Sequence, residues 1–313
     1  IGLKIFPFYL FSTAIAVVIG IILAKVTNPG AGFSLPTEVV MDAPVRPSFV
    51  DTLLNMVPSN IFNAFAQGDI LAVVFVSVIA GLAILFMRHS LDEKQQELGD
   101  FLFKLLEAGN EVISKILNGI LVYAPIGVLG ITANTFGTQG LDTAIALGKF
   151  IGTSYVGVII LVGVAFPIMM KVFGIKVIQF YKDIKEAAFT SFVTSSSIGT
   201  LPVTIKCAEK AGIGERVAKL TLPIGATVNM NGTAIRFGVA VIFAAEIMGM
   251  TLSTPELATI VIIGTMAAIG TAGVPGAGLI GMSIVFTQAG LPIEIVALTA
   301  GIIIIPACFA FGI

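Results

Sequence analysis

The chain has 313 residues, of which 57% are hydrophobic and 11% are charged. Soluble domains carry about 25% charged residues, so this composition excludes an ordinary soluble domain and indicates a membrane protein. The formal net charge of −1 provides no basic surface for nucleic acid, and Cys207 and Cys308 lack the spacing of a metal or redox site.

Long apolar stretches recur along the chain and predict membrane-spanning helices. The clearest runs cover about 5–25, 70–87, 103–123 and 147–172. A hydrocarbon core of about 30 Å needs roughly 20 apolar residues per helix, and continuous runs without alternation favour helices over a β-barrel. We expect the first run to end at "TNPGAG" and the third at "APIGV". The sequence therefore predicts an all-α polytopic membrane protein.

Two stretches in the second half share an unusual pattern of small residues and breaks. Residues 193–202 read "VTSSSIGTLP" and residues 266–275 read "MAAIGTAGVP", each with an Ile-Gly-Thr before a proline. Glycine and proline break helices, and secondary transporters use paired broken helices to hold ions and substrate near the membrane midplane. We predict two re-entrant hairpins. The alternative is two kinked but complete spans, whose glycines serve close helix packing.

A polar cluster interrupts the apolar stretch at 220–250. Asn229, Asn231 and Thr233 stand two residues apart, and Gly232 lies among them. Polar residues and a glycine inside an apolar stretch predict an unwound backbone. Neutral oxygens from Asn, Thr and main-chain carbonyls suit a hard cation, so we predict a site for Na⁺. The alternative is that these side chains make hydrogen bonds between helices.

The segment "NMNGTA" (229–234) resembles the Asn-Met-Asp-Gly-Thr signature of the dicarboxylate/amino acid:cation symporter family. This family includes archaeal aspartate transporters and excitatory amino-acid transporters. The resemblance extends through "SFVTSSSIGTLPVT", "LPIGATVNM" and "AAIGTAGVPGAG", and earlier through "TNPGAG" and "APIGV". It covers essentially the whole chain except the last dozen residues.

The resemblance implies a homotrimer in which a mobile transport domain slides against a static scaffold, as in an elevator. The first span would correspond to the third span of the family, so we expect a chain that is incomplete at both ends. The implied division is a scaffold at 27–147 and a transport domain at 1–26 and 148–313, with hairpin one at 185–210, a broken helix at 213–247 and hairpin two at 254–289.

The resemblance also implies three sodium sites and one substrate site. The first sodium site would use Gly225 and Asn229. The sodium ligands of the other two sites would be Thr227, Met230, Ala268, Ile269 and Thr271 for the second, and Tyr9, Ser12, Thr13, Asn229 and Asn231 for the third. The substrate would contact Ser195, Ser197, Thr233, Val274 and Gly278, and hairpin two would be the gate.

Three positions depart from the family pattern near this site. Asn231 replaces the signature aspartate and removes a negative charge from the third sodium site, and Ile198 stands where a further serine is usual. Arg236 stands where tyrosine is common, and an unpaired arginine in a membrane is costly. Two interpretations of Arg236 are open: a place at a watery edge, or a cation near the substrate.

The last segment, "AGIIIIPACFAFGI" (300–313), departs further. The family carries an aspartate and an arginine for the substrate in its last span. An alignment without gaps places the aspartate and the arginine at Ala307 and Ala310. A shift of two residues would instead place Cys308 at the arginine position, as in neutral amino-acid relatives. We expect either reading-frame damage or a degenerate copy.

The leading functional prediction is a symporter, not an enzyme, in a prokaryotic-type inner or plasma membrane. It would couple Na⁺, or alternatively H⁺, to uptake of glutamate, aspartate or a small dicarboxylate. The alternatives are a non-transporting paralogue, a neutral amino-acid transporter and a passive channel. An intramembrane hydrolase would need a base beside Ser195 or Ser197; the only histidine, His89, follows Arg88, although Lys206 and Lys210 remain candidates.

Overall fold

The computed structural model describes residues 2–31, 54, 57–67, 70–194, 196–271, 277–292, 295–296 and 299. All regular secondary structure in these residues is helical, which confirms the predicted all-α class. The π-helical segment Leu161–Ala165 joins the fourth helix to the fifth. In chain order the helices are α1 (Gly2–Thr27), α2 (Ile61–Gln67), α3 (Ile70–Arg88), α4 (Glu93–Ile160), α5 (Phe166–Val172), α6 (Val177–Thr194), α7 (Ser197–Lys210), α8 (Glu215–Val228), α9 (Asn231–Ile247), α10 (Thr254–Gly270) and α11 (Ala277–Gln288).

Residue contacts divide the chain into two compact units. One comprises Val50–Gly130, and the other comprises Ile1–Phe49 together with Ile131–Ile313. In the first unit α2 packs on α3, and Arg88 Nε lies 2.7 Å from Asp100 Oδ1. The second unit contains α1, α5 to α11 and the C-terminal part of α4, and it holds all of the predicted site residues that the structure describes.

Three helical stretches in the described residues are long and apolar enough to cross a membrane. They are Ile5–Thr27, Ile145–Val172 and Glu215–Ile247. Two shorter helical stretches, Ala72–Arg88 and Thr254–Gly270, are also apolar. The stretch Glu215–Ile247 combines α8 and α9, although the backbone between those two helices is not helical.

The first helix ends where "TNPGAG" begins, as predicted. Asn28 has a positive φ of 43°, and its N–H donates to the Ala24 carbonyl at 2.8 Å, which is typical of a residue that terminates a helix. The Gly30 N–H donates to Glu246 Oε2 at 2.7 Å. A Cβ on Gly30 would lie only 2.7 Å from the Phe243 carbonyl oxygen. This turn therefore fastens the end of α1 to the end of α9.

The predicted stop at "APIGV" is wrong, because α4 continues as one helix through Pro125 to Ile160. A proline removes one N–H donor, but neighbouring groups in membrane helices can satisfy the freed carbonyl, so the helix need not end. A different response is seen at Pro167, where the π-helical segment Leu161–Ala165 lies just before the proline. Such π-turns accommodate a locally broken hydrogen-bond ladder.

The helix α9 forms the core of the larger unit. Every residue of α9 except Gly232 and Glu246 is buried, so the helix is covered on all sides by protein. It packs along α1 and also contacts α10 and α11. A Cβ on Gly238 would lie 2.5 Å from the Val17 carbonyl oxygen, and one on Gly20 would lie 2.2 Å from the Ile235 carbonyl oxygen. The backbones of α1 and α9 are therefore in direct contact, which only glycine permits.

The break predicted in the polar cluster is present. Helix α8 ends at Val228, and α9 begins at Asn231. Between them Asn229 has φ −103° and ψ 63°, and Met230 has φ −89° and ψ 58°, both outside the helical region. The break therefore coincides with Asn229, the first residue of the polar cluster.

Two further helix pairs overlap the predicted hairpin positions, although α6 begins at Val177, before the predicted start at residue 185. Helix α6 packs on α7, with Ser196 accepting a hydrogen bond from the Gly199 N–H at 3.0 Å and so capping α7. Helix α10 packs on α11. Residues 195 and 272–276, which hold Ser195 and Val274, lie outside the described residues. That these pairs are re-entrant remains a prediction.

We expect Gly238→Ala to lower the free energy of unfolding by about 1–3 kcal/mol, because the new methyl group would force the backbones of α1 and α9 apart. The matched control is Gly152→Ala in α4, where a Cβ meets no atom within 4 Å. The measurement is thermal unfolding of the purified protein in detergent. Equal unfolding midpoints for the two variants would contradict the proposed backbone contact.

Candidate functional site

The helix break lies against a polar face of α1. The Ser12 hydroxyl donates to Asn229 Oδ1 at 2.7 Å, and the Thr13 hydroxyl lies 3.4 Å from the same oxygen. Ser12 and Thr13 are 2% and 0% exposed. The structure thus brings three of the predicted ligands of the third sodium site together. Their atoms form a part-buried group of neutral oxygens, the chemistry that suits a hard cation.

Tyr9 joins the same region from one turn earlier on α1. Its hydroxyl donates to the Thr221 carbonyl at 3.0 Å. A Cβ on Gly225 would lie 2.9 Å from the Tyr9 hydroxyl oxygen, so the ring lies against the bare glycine. Gly225 also accepts the last backbone hydrogen bond of α8, from the Asn229 N–H at 2.9 Å. Tyr9 therefore holds α8 in place just before the break.

The first turn of α9 holds two buried polar side chains that lack partners. Asn231 is 2% exposed and Thr233 is 0% exposed. No hydrogen-bond partner is present for the Asn231 Oδ1 and Nδ2 atoms or for Thr233 Oγ1. Leaving such a group unsatisfied costs about 1–3 kcal/mol, so polar atoms of this kind commonly belong to ligand sites.

Arg236 lies one turn beyond Thr233 and is 1% exposed. This excludes the interpretation that placed it at a watery edge. Its Nε, Nη1 and Nη2 all lack hydrogen-bond partners. A Cβ built on Gly278 would lie 1.9 Å from Nη2 and 3.0 Å from Cζ, so the guanidinium occupies the space that a side chain would need there. The arginine therefore lies against the first turn of α11.

The predicted ligands of the second sodium site lie on α8, on α10 and its C-terminal end, and at the break after α8. Met230 is 2% exposed and Ala268 is 0% exposed. The Thr271 hydroxyl donates to the Ala267 carbonyl at 2.7 Å, and the Thr271 N–H donates to the Ala268 carbonyl at 3.2 Å. The exposed Thr227 donates to the Ile224 carbonyl of its own helix at 3.0 Å. Both threonine hydroxyls thus bond within their own helices.

The predicted substrate residues are divided between two places. Thr233 and Gly278 belong to α9 and α11, which contact each other, and both lie near Arg236. Ser197 begins α7, which packs chiefly on α6 and α8. Ile198 beside it is 47% exposed. Ser195 and Val274 fall outside the described residues.

The sequence did not settle whether Arg236 is buried. One signal was present, because residues three apart share a helix face, which puts Arg236 beside Thr233. Burial, however, depends on the helices that surround α9, and no motif reports it. Within the described part of the chain, no group of three or more His, Cys, Asp or Glu could hold a metal ion.

Comparison with known proteins agrees with this architecture. Residues 1–309 match the model of the sodium:dicarboxylate symporter family. The C4-dicarboxylate transport protein of Bacillus subtilis (strain 168) is 30% identical over 310 residues, which cover 96% of this chain and 72% of that protein. The C4-dicarboxylate transport protein 2 of Pseudomonas aeruginosa (strain UCBPP-PA14) is 31% identical, with 96% and 69% covered. The protein of that name from Polaromonas naphthalenivorans (strain CJ2) is 33% identical, with 96% and 67% covered.

The match spans nearly the whole chain, and it includes both the polar cluster at the helix break and the helices long enough to cross a membrane. It confirms the resemblance that "NMNGTA" and its companion motifs indicate. The protein is an integral membrane protein of the inner or plasma membrane. It belongs to the sodium:dicarboxylate symporter family.

Proposed function

We propose that this protein is a secondary active symporter that couples Na⁺ to the uptake of a small dicarboxylate. The family, and relatives named as C4-dicarboxylate transport proteins, support transport of a dicarboxylate. Aspartate and glutamate are the next substrates to consider, because they too carry two carboxylates. Na⁺ is a co-transported substrate in this scheme, so its site must bind and release it.

The observation that carries the proposal is the convergence of Ser12 and Thr13 on Asn229 Oδ1 at the helix break. The lone pairs of these oxygens can turn toward a cation when one enters. Because its oxygens are neutral, the site does not cancel the charge of a bound ion. This suits reversible binding of a monovalent cation. The buried and unpartnered Asn231 supplies a further oxygen next to the break.

We assign the remaining sodium and substrate roles by position. Gly225 and Asn229 would hold one sodium ion, and Tyr9, Ser12, Thr13, Asn229 and Asn231 would hold another. Thr227, Met230, Ala268, Ile269 and Thr271 would hold a third, after Thr227 and Thr271 exchange their present bonds for the ion. Substrate contacts would come from Ser195, Ser197, Thr233, Val274 and Gly278.

We further propose an elevator mechanism in a homotrimer. The moving part would be residues 1–26 and 148–313, and the scaffold would be residues 27–147. The close packing of α1 on α9 supports this division, because two helices whose backbones touch move as one body. The segment 254–289 would be the gate, closing over the substrate after the ions bind.

The proposal predicts Na⁺-dependent uptake of succinate by the purified protein in liposomes. Uptake should follow an inward Na⁺ gradient and should stop when choline replaces external Na⁺. A proton gradient without Na⁺ tests the alternative coupling ion, and competition by aspartate tests the acidic amino acids. Absence of succinate and aspartate uptake under either gradient would contradict transport and favour the non-transporting paralogue.

A second prediction concerns the hydroxyl at the break. Ser12→Ala should raise the Na⁺ concentration for half-maximal succinate uptake by at least about tenfold, because a hydrogen bond or ion contact to a charged group contributes about 1.5–3 kcal/mol. The maximal rate at saturating Na⁺ should change little.

The matched control for this prediction is Ser154→Ala. Ser154 is 3% exposed, close to the 2% of Ser12, but its hydroxyl donates to the Phe150 carbonyl of its own helix at 2.9 Å. The sodium dependence of this control should equal that of the unmodified protein. A similar shift in both variants would show that loss of a buried hydroxyl, and not loss of an ion contact, is responsible.

A further inference from the structure

Arg236 presents a physical problem that the assigned site does not solve. Its side chain is 1% exposed, and all three guanidinium nitrogens lack a hydrogen-bond partner. None of the carboxylates in the described residues forms an ion pair with it. Buried charges are normally paired, since transfer of an isolated charge out of water is strongly unfavourable.

The helix terminus beside Arg236 adds to the unfavourable positive charge. The guanidinium lies against Gly278, in the first turn of the twelve-residue helix α11. The N-terminus of a helix carries a partial positive charge and directs N–H groups outward, so it repels a cation and attracts an anion. An arginine packed there reinforces the positive potential of α11.

The unpartnered polar atoms of α9 complete a candidate anion site. Thr233 lies one turn before Arg236 on α9, and its hydroxyl is buried without a partner. Hydroxyl and guanidinium groups both donate hydrogen bonds, and the planar guanidinium matches a carboxylate through two parallel bonds.

We propose that Arg236 binds a carboxylate of the transported substrate through its guanidinium, beside the first turn of α11. This inference rests on the proposed function and specifies the residue that selects a charged substrate. The absence of a side chain at Gly278 is part of the site, because it leaves room for the guanidinium. A second carboxylate, or an amino-acid backbone, would extend away from Arg236.

The inference predicts an opposite effect of one substitution on stability and on binding. Arg236→Gln removes an unpaired buried charge, so the unfolding midpoint without substrate should stay the same or rise. The affinity for succinate at saturating Na⁺ should fall about a hundredfold or more, because the buried charge partner of the carboxylate is lost. Arg236→Lys should lose about tenfold in succinate affinity, because lysine keeps the charge but cannot make the two parallel hydrogen bonds of the guanidinium.

The experiment measures ligand-induced shifts of the unfolding midpoint for the full chain in nanodiscs. The ligands are succinate, its neutral diamide analogue succinamide, and chloride, each with and without Na⁺. Arg216→Gln is the matched control, because Arg216 is exposed on α8. Gly278→Ala is the second variant: it keeps the charge but displaces the guanidinium, so it should also weaken succinate binding.

Each outcome supports or overturns the inference. Selective loss of succinate binding in Arg236→Gln, with the response to neutral succinamide unchanged, supports it. Succinate affinity within about threefold of the unmodified protein overturns it, as does a lower midpoint of Arg236→Gln without substrate together with unchanged binding. If the unmodified protein responds to chloride and to no carboxylate, the arginine holds an inorganic anion and the inference also fails.

The same measurements separate this inference from the proposed function. Succinate binding that needs Arg236 but not Na⁺ would support the inference and contradict sodium coupling. Succinate binding that needs Na⁺ but not Arg236 would support the proposed function and contradict the inference. A protein that binds no carboxylate under either condition would contradict both.

Discussion

The direct contact between the backbones of α1 and α9 is the constraint on which the rest of the larger unit depends. Gly20 lies against the Ile235 carbonyl, and Gly238 lies against the Val17 carbonyl. In lipid, where the hydrophobic effect does not drive helices together, such close packing is a main source of association. Because the two glycine contacts leave no freedom to slide, they also set which residues of α1 face the break before α9.

That register places a polar layer two turns from the glycine contacts. Ser12 and Thr13 precede Gly20 on α1 and meet Asn229 at the break. The backbone at this point is not helical, because Asn229 and Met230 both have dihedral angles outside the helical region. The rigid α1–α9 contact thus supports an irregular segment that could not be stable in lipid alone.

The larger unit keeps several polar groups buried at a cost to stability. Asn231, Thr233 and Arg236 follow one another on α9 without partners among the described residues. Each unsatisfied neutral group costs about 1–3 kcal/mol, and a charge costs more. A transporter can tolerate this cost, because a site that satisfied its own polar atoms would have no reason to bind ions and substrate.

The sequence by itself determined the helical class, the family, the ends of α1 and α3, and the break at Asn229, because composition and glycine, proline and asparagine act locally on the backbone. It failed at Pro125, where neighbouring groups rather than the proline decide whether a helix continues. Only the tertiary structure decided that Ser12 meets Asn229 and that Arg236 is buried against Gly278. Those contacts join residues more than 40 positions apart, and close packing around α9, which no local pattern records, brings them together.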